Sequence, residues 1–158
     1  MTTSHHALLG LVFFVVGSCV GSFVNVCAYR IPRAMSLLRP RSRCPRCGTT
    51  IRQRDNIPIL GWLILRGRCR ACRGEIPARY PSVELAAGLL FCGVYASPAL
   101  LSPRDFWEDA GPWRVLFALL ASWMVIGLLM VGTLIALDRR SESRKLSRGP
   151  RIGGQTES

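Results

Sequence analysis

Cys44-Pro45-Arg46-Cys47 is answered by Cys69-Arg70-Ala71-Cys72, with 21 residues between the two pairs. Two cysteines three positions apart aim both sulfurs at one ion across a tight turn, so two such pairs offer four thiolates for a tetrahedral sulfur site. Gly48 and Gly74 follow the pairs, where a turn calls for a residue that tolerates positive φ. One pair alone carries little weight. Two point to a structural zinc ion held by Cys44, Cys47, Cys69 and Cys72. The gap is slightly longer than in most zinc ribbons, which an insertion in the connecting loop accommodates. The same cysteines also suit two disulfides or a redox pair; the basic surroundings favour zinc, because they place the segment in a reducing cytoplasm. Short strands are expected around each pair, since such a knuckle usually sits on a hairpin turn.

Outward from this motif the sequence separates charge from apolar residues. Of 158 residues 49% are hydrophobic, yet the net charge is +12, a combination that a chain tolerates only when the two are segregated. A soluble core of ordinary size is therefore not expected, only a small metal-stapled domain attached to a membrane. Residues 30–82 hold thirteen arginines against Asp55 and Glu75, about +11 in all. Anionic lipid headgroups account for that charge. Nucleic acid accounts for it less well, because Trp62 and Tyr80 are the segment's only large aromatics for base stacking. Within the loop, Ile57 to Leu65 is too short to cross a bilayer. It either packs over the metal site or lies at the interface with Trp62 at headgroup depth, and Asp55-Asn56 opens it as a turn.

Residues 7–29 carry no charge over 23 positions, enough for one helical crossing. A cleaved signal peptide fits less well: no Lys or Arg precedes the run, and Asn25 interrupts the region of a cleavage site. Gly17-x-x-x-Gly21 and Ser18-x-x-x-Ser22 allow another helix to approach closely, and Cys19 and Cys27 read as small membrane residues. A second crossing is expected over 83–101, interrupted only by Glu84, which the dipole favours near a helix start. Residues 102–114 form an outer connection, 115–137 a third crossing, and 138–158 a basic, disordered cytoplasmic tail. The excess of arginine in the loop and tail puts both inside and the N-terminus outside. The expected fold is thus mainly α and integral to the membrane, with three transmembrane helices and a small zinc-ribbon-like cytoplasmic domain between the first and second.

Several blocks then fall into one order: Gly21-Ser22-Phe23-Val24-Asn25-Val26, Tyr29-Arg30-Ile31-Pro32, Arg41-Ser42-Arg43-Cys44-Pro45-Arg46-Cys47, Asp55-Asn56-Ile57-Pro58, Gly61-Trp62-Leu63, Leu65-Arg66-Gly67-Arg68-Cys69 and Arg79-Tyr80-Pro81-Ser82-Val83-Glu84. Over residues 17–90 this resembles the N-terminal part of bacterial prepilin peptidases. The resemblance implies an inner-membrane aspartic endopeptidase. Such enzymes cleave the leaders of type IV pilins and type II secretion pseudopilins, and many then methylate the new amine with S-adenosylmethionine. It also implies a pair of membrane-boundary aspartates, one activating water and the other, protonated, polarising the carbonyl. Asp138, in Leu134-Ile135-Ala136-Leu137-Asp138, matches the first of these; it also reads as the charged end of a span. Past Asp138 the sequence departs from the family pattern, and a Gly-x-Gly-Asp motif for the second aspartate does not occur in the remaining twenty residues.

Three functions follow from these expectations: half of a split peptidase completed by a second polypeptide, a non-catalytic prepilin-binding or scaffolding relative, and a methyltransferase-associated part. No glycine-rich strand-to-helix loop supports the last. A membrane zinc-ribbon module for anionic lipid or nucleic acid is the outlying alternative.

Overall fold

A computed structural model of the chain describes residues 3–39, 41–101 and 112–147. Four helices account for most of it: α1 (Thr3–Arg30), α2 (Leu60–Ile64), α3 (Arg79–Leu101) and α4 (Pro112–Ser147), with 3-10 turns at Ile31–Arg33 and Gln53–Asp55. Pro32 disfavours continued α conformation in the residue before it and ends α1. The chain then turns through Ala34 at φ 52°, and the buried Arg30 guanidinium donates to the carbonyls of Ser36 and Leu37 at 2.8 and 3.1 Å. Helix α3 tolerates Pro81 because a proline in the first turn removes an N–H that has no helical partner.

Among the described residues no strand forms. Each cysteine pair is instead closed by one antiparallel bridge, Arg43 to Thr50 and Arg68 to Glu75. The expected hairpins shrink to single bridges because the chain leaves each knuckle at once, into the Gln53–Asp55 turn or into α3.

Helix α1 packs chiefly along α3, and the small residues singled out in the sequence make that contact. A Cβ on Gly17 would stand 2.7 Å from the Ala87 carbonyl and from Phe91; one on Gly21 would stand 2.8 Å from Glu84 Cα and from Ala87 Cβ. Opposite them, Gly88 leaves room for Ser18 and Phe14. The Gly-x-x-x-Gly strip is therefore occupied within the chain. Helix α4 closes the end of the bundle nearest the cysteine loop through Leu134, which joins Val24, Ala28 and Val83 in the buried cluster, flanked by Met130, Val131 and Ile135. Towards the other end Phe13, Phe91, Tyr95 and Trp123 form an aromatic cluster, with Phe91 and Trp123 stacked at 4.9 Å.

Two helical stretches, Ser4–Arg33 and Leu116–Ser141, are long and apolar enough to cross a membrane, and only 22% and 0% of their most apolar windows are buried. Leu8, Leu11, Phe117, Met124, Leu128 and Leu129 are all more than half exposed, so the described residues leave these faces uncovered. Helix α4 runs ten residues beyond the expected end of the third span, because Asp138 to Ser147 contains neither Gly nor Pro. Ser147 is followed by eleven positions in which Gly149, Pro150, Gly153 and Gly154 occur; positions 148–158, like 102–111 of the expected outer connection, lie outside the described residues.

Gly21→Leu is expected to force α1 away from α3 and to destabilise the bundle by ~1–3 kcal/mol, the usual cost of overpacking. Gly93→Leu, whose Cβ meets nothing within 4 Å, should leave stability unchanged. Denaturation in mixed micelles of the two variants beside the parent checks this.

Candidate metal centre

The two knuckles have one backbone design, repeated at an offset of 25 residues. Cys44 N donates to Thr49 O, Gly48 N to Cys44 O and Ile51 N to Ser42 O; in the second knuckle Cys69 N donates to Gly74 O, Arg73 N to Cys69 O and Ile76 N to Gly67 O. The signal was present in the sequence as Arg-Cys-x-x-Cys-x-x-x-Ile, which occurs at 43–51 and at 68–76. The repeat also corrects one expectation. Gly48 takes the left-handed turn position, φ 68°, but its equivalent is Arg73, φ 58°, and not Gly74. Gly74 is required for a different reason: a Cβ there would meet the Arg46 side chain at 2.6 Å and the Cys72 sulfur at 3.3 Å.

This geometry brings all four sulfurs within 4.8 Å of one another. Cys44 and Cys72 lie 3.8 Å apart, Cys47 and Cys69 4.0 Å, across the two knuckles, and none of the four is in a disulfide. A tetrahedral ion with metal–sulfur bonds of about 2.3 Å needs sulfur–sulfur edges of about 3.8 Å, so the donor set fits. The loop around it has almost nothing else to hold it: between residues 31 and 78 the buried described residues are Cys44, Cys69 and the glycines Gly61, Gly67 and Gly74. A segment of that size without an apolar core depends on ligands for its order.

The sulfurs are unequal. Side-chain and backbone hydrogen bonds to Thr49 bring the Cys47 thiol down to about 6, and the Cys72 and Ala71 backbone lowers Cys69. At Cys72 the Gly74 backbone also lowers the thiol, but the neighbouring Cys47 sulfur, burial, and the Cys69 and Cys44 sulfurs outweigh it and push the value up to about 11. One sulfur is thus a thiolate at neutral pH while a neighbour keeps its proton, and a captured cation would displace that proton.

Three contacts fix the connecting loop. Asp55 receives two hydrogen bonds from Arg70, at 2.8 and 2.6 Å, tying the Gln53–Asp55 turn to the second knuckle. Trp62 donates its indole N–H to Ile76 O at 2.9 Å, and its ring lies where Gly67 has no side chain. Trp62 therefore packs over the metal loop, one of the two placements its sequence allowed. The third contact reaches the bundle: the buried Glu84 carboxylate accepts from Ile59 N at 2.7 Å.

Asp138 lies apart from the cysteines. It forms a bidentate ion pair with Arg79 of α3 at 2.5 and 3.0 Å, and one residue on, Tyr80 O accepts from the buried Asn25 side chain at 3.2 Å. Sequence reasoning missed Arg79 and the anchoring role of Glu84; their only signal was the Arg79 to Glu84 block itself.

In chelator-treated protein, Cys47 is expected to alkylate fastest of the four, with labelling that falls as pH drops through about 6, while Cys72 stays protonated and slow through neutral pH. Mass-spectrometric mapping of iodoacetamide adducts between pH 5 and 8 reads this directly.

Residues 15–97 match the bacterial peptidase A24 N-terminal domain. A prepilin leader peptidase/N-methyltransferase of Myxococcus xanthus is 56% identical over 84 residues, which cover 53% of this chain and 25% of the relative. A type 4 prepilin-like proteins leader peptide-processing enzyme of Escherichia coli is 38% identical over 129 residues, 70% of this chain and 44% of the relative. A prepilin leader peptidase/N-methyltransferase of Aeromonas hydrophila is 35% identical over 161 residues, covering 85% and 50%. The chain thus spans between a quarter and a half of the length of these relatives. No solved structure matches it. The matched segment runs from α1 through both knuckles and most of α3, more than half of the sequence, and on that ground the chain belongs to the bacterial prepilin peptidase family, whose N-terminal domain it carries.

Proposed function

We propose that this chain serves in the processing of prepilin leaders for type IV pili or type II secretion, as the zinc-bearing membrane module of a peptidase. The observation that carries the reading is Asp138. It stands within α4 at the point where the apolar run gives way to Arg139 and Arg140, and Arg79 of the family block grips its carboxylate. In an aspartic pair the charged carboxylate activates water and its protonated partner polarises the scissile carbonyl. Asp138, in an ion pair, suits the charged role. The partner carboxylate lies in sequence beyond these 158 residues, in a continuation of this chain or in a second polypeptide.

The proposed topology has α1, α3 and α4 crossing the bacterial inner membrane, the N-terminus outside and the cysteine loop and C-terminal segment in the cytoplasm. The uncovered apolar faces of α1 and α4 and the arginines of the loop support it. Cys44, Cys47, Cys69 and Cys72 would hold zinc as a closed structural site, supplying order and no step of the reaction. S-adenosylmethionine is not assigned a site here, since no strand leads into a glycine-rich turn among the described residues.

A second reading has one observation in its favour. Both oxygens of Asp138 are engaged by Arg79, as suits a purely structural ion pair in a relative that binds prepilins or scaffolds an assembly without cutting them.

Membranes holding this chain together with the C-terminal half of a full-length relative are expected to cleave a prepilin, and Asp138→Asn should lower the rate by about 10²–10⁴-fold, the usual contribution of such a group. Leader binding without any cleavage in that combination, unchanged by Asp138→Asn, would select the scaffold. Purified protein should carry about one zinc ion per chain, lost in the Cys44→Ser/Cys72→Ser double variant, as elemental analysis would register.

A further inference from the structure

We propose that α2 and the turn after it form an anchor that seats the metal loop on the anionic cytoplasmic leaflet, with Leu60, Leu63 and Ile64 among the lipids and Arg66, Arg68 and Arg73 on their phosphates. The inference rests on the membrane placement of the bundle and not on the role of Asp138.

The chain bends sharply to present this patch. Ile59 adopts φ 61° and ψ −54°, and Leu60 N donates back to Pro58 O at 2.6 Å, a γ-turn that is strained for any side chain and more so for a β-branched one. Such a conformation persists where its surroundings over-determine it. Here the determinant is Glu84, whose buried carboxylate holds the Ile59 amide. Glu84 lies five residues into α3 from Arg79, and Arg79 with Asp138 marks the polar end of the bundle. The patch therefore begins where the apolar helices leave the bilayer.

From that point α2 divides its residues. Gly61 is buried against the Asp55 carbonyl and Trp62 turns to the loop, while Leu60, Leu63 and Ile64 are 54%, 55% and 69% exposed. Nothing in the described chain covers them. Beside Ile64 opens a cavity of ≈ 580 Å³ whose lining includes Leu65, Arg66, Arg68, Arg70 and Arg73. Arg70 is paired with Asp55, but Arg66, Arg68 and Arg73 have no carboxylate partner among the described residues. Arg66 and Arg73 moreover stand at left-handed positions, φ 52° and 58°, where glycine would be unstrained. An exposed apolar patch that borders on guanidinium groups without a carboxylate partner has the chemistry of an anionic phospholipid interface.

The test places p-benzoylphenylalanine at position 64 of the full chain in nanodiscs and identifies photo-adducts by mass spectrometry. Position 128, on the exposed face of α4, should label lipid in every membrane, and position 50, on the first knuckle, in none. Position 64 is expected to label lipid in phosphatidylglycerol-containing discs. The yield should fall several-fold in purely zwitterionic discs and in Arg66→Gln/Arg68→Gln/Arg73→Gln, since each arginine near an anionic surface contributes about a fivefold factor in partition. Absence of lipid adducts at position 64 would overturn the proposal. So would adducts to another protein chain, which would make the patch a protein interface. Lipid adducts indifferent to charge would remove the arginines from it.

Discussion

A backbone approach that only glycine permits sets the height of everything else in this molecule. Gly21 of α1 meets α3 at Val83 and Glu84, and a side chain at that point would displace the helix on whose first two turns three other connections depend. Arg79 reaches Asp138 of α4, the Tyr80 carbonyl receives Asn25 of α1, and Glu84 holds Ile59 of the loop. The start of α3 is thus the common attachment of both long apolar helices and of the cysteine loop. Its buried polar groups, Asn25 and Glu84, are tolerated because each has a backbone partner.

The loop obeys a different physics from the bundle. It buries sulfur and glycine and almost no hydrocarbon, and its two knuckles are held by the same three backbone hydrogen bonds used twice. Such a frame positions four sulfurs but supplies little hydrophobic stabilisation, and a cation held between them would stabilise it. The unequal thiols follow from the same crowding. Cys47, hydrogen-bonded to Thr49, ionises early, and Cys72 of the second knuckle then retains a proton. Arg70, between two of the ligands, carries the order of the knuckle to Asp55, and Glu84 attaches the other end of the connecting segment to α3. A change at the cysteines therefore has a short covalent and hydrogen-bonded route to the helix that also grips Asp138.

The legible part of the fold and site was whatever depends on neighbours in the sequence. Cysteine spacing announced the sulfur cluster, the absence of charge over residues 7–29 announced α1, and the block order announced the family. Local rules also erred locally. Gly74 looked like the turn residue because glycine is the commonest one, yet Arg73 accepts the left-handed conformation and Gly74 answers to steric contact with Arg46 and Cys72. Where an apolar run ends and where its helix ends are separate matters: polarity changes after Leu137, yet α4 continues to Ser147, because polarity does not stop a helix that lacks Gly and Pro.

The sequence by itself determined the helical character, the separation of charge from apolar residues and the four cysteines that gather where a metal could be held, since these follow from composition, charge-free run length and a three-residue spacing. Only the tertiary structure decided that the glycines of α1 meet α3, that Trp62 turns to the loop while Leu63 and Ile64 turn outward, and that Arg79 and Glu84 hold Asp138 and Ile59. Those pairings join residues 14 to more than 60 positions apart. No periodicity encodes them; they exist because packing three helices leaves few places where a carboxylate or guanidinium finds a partner.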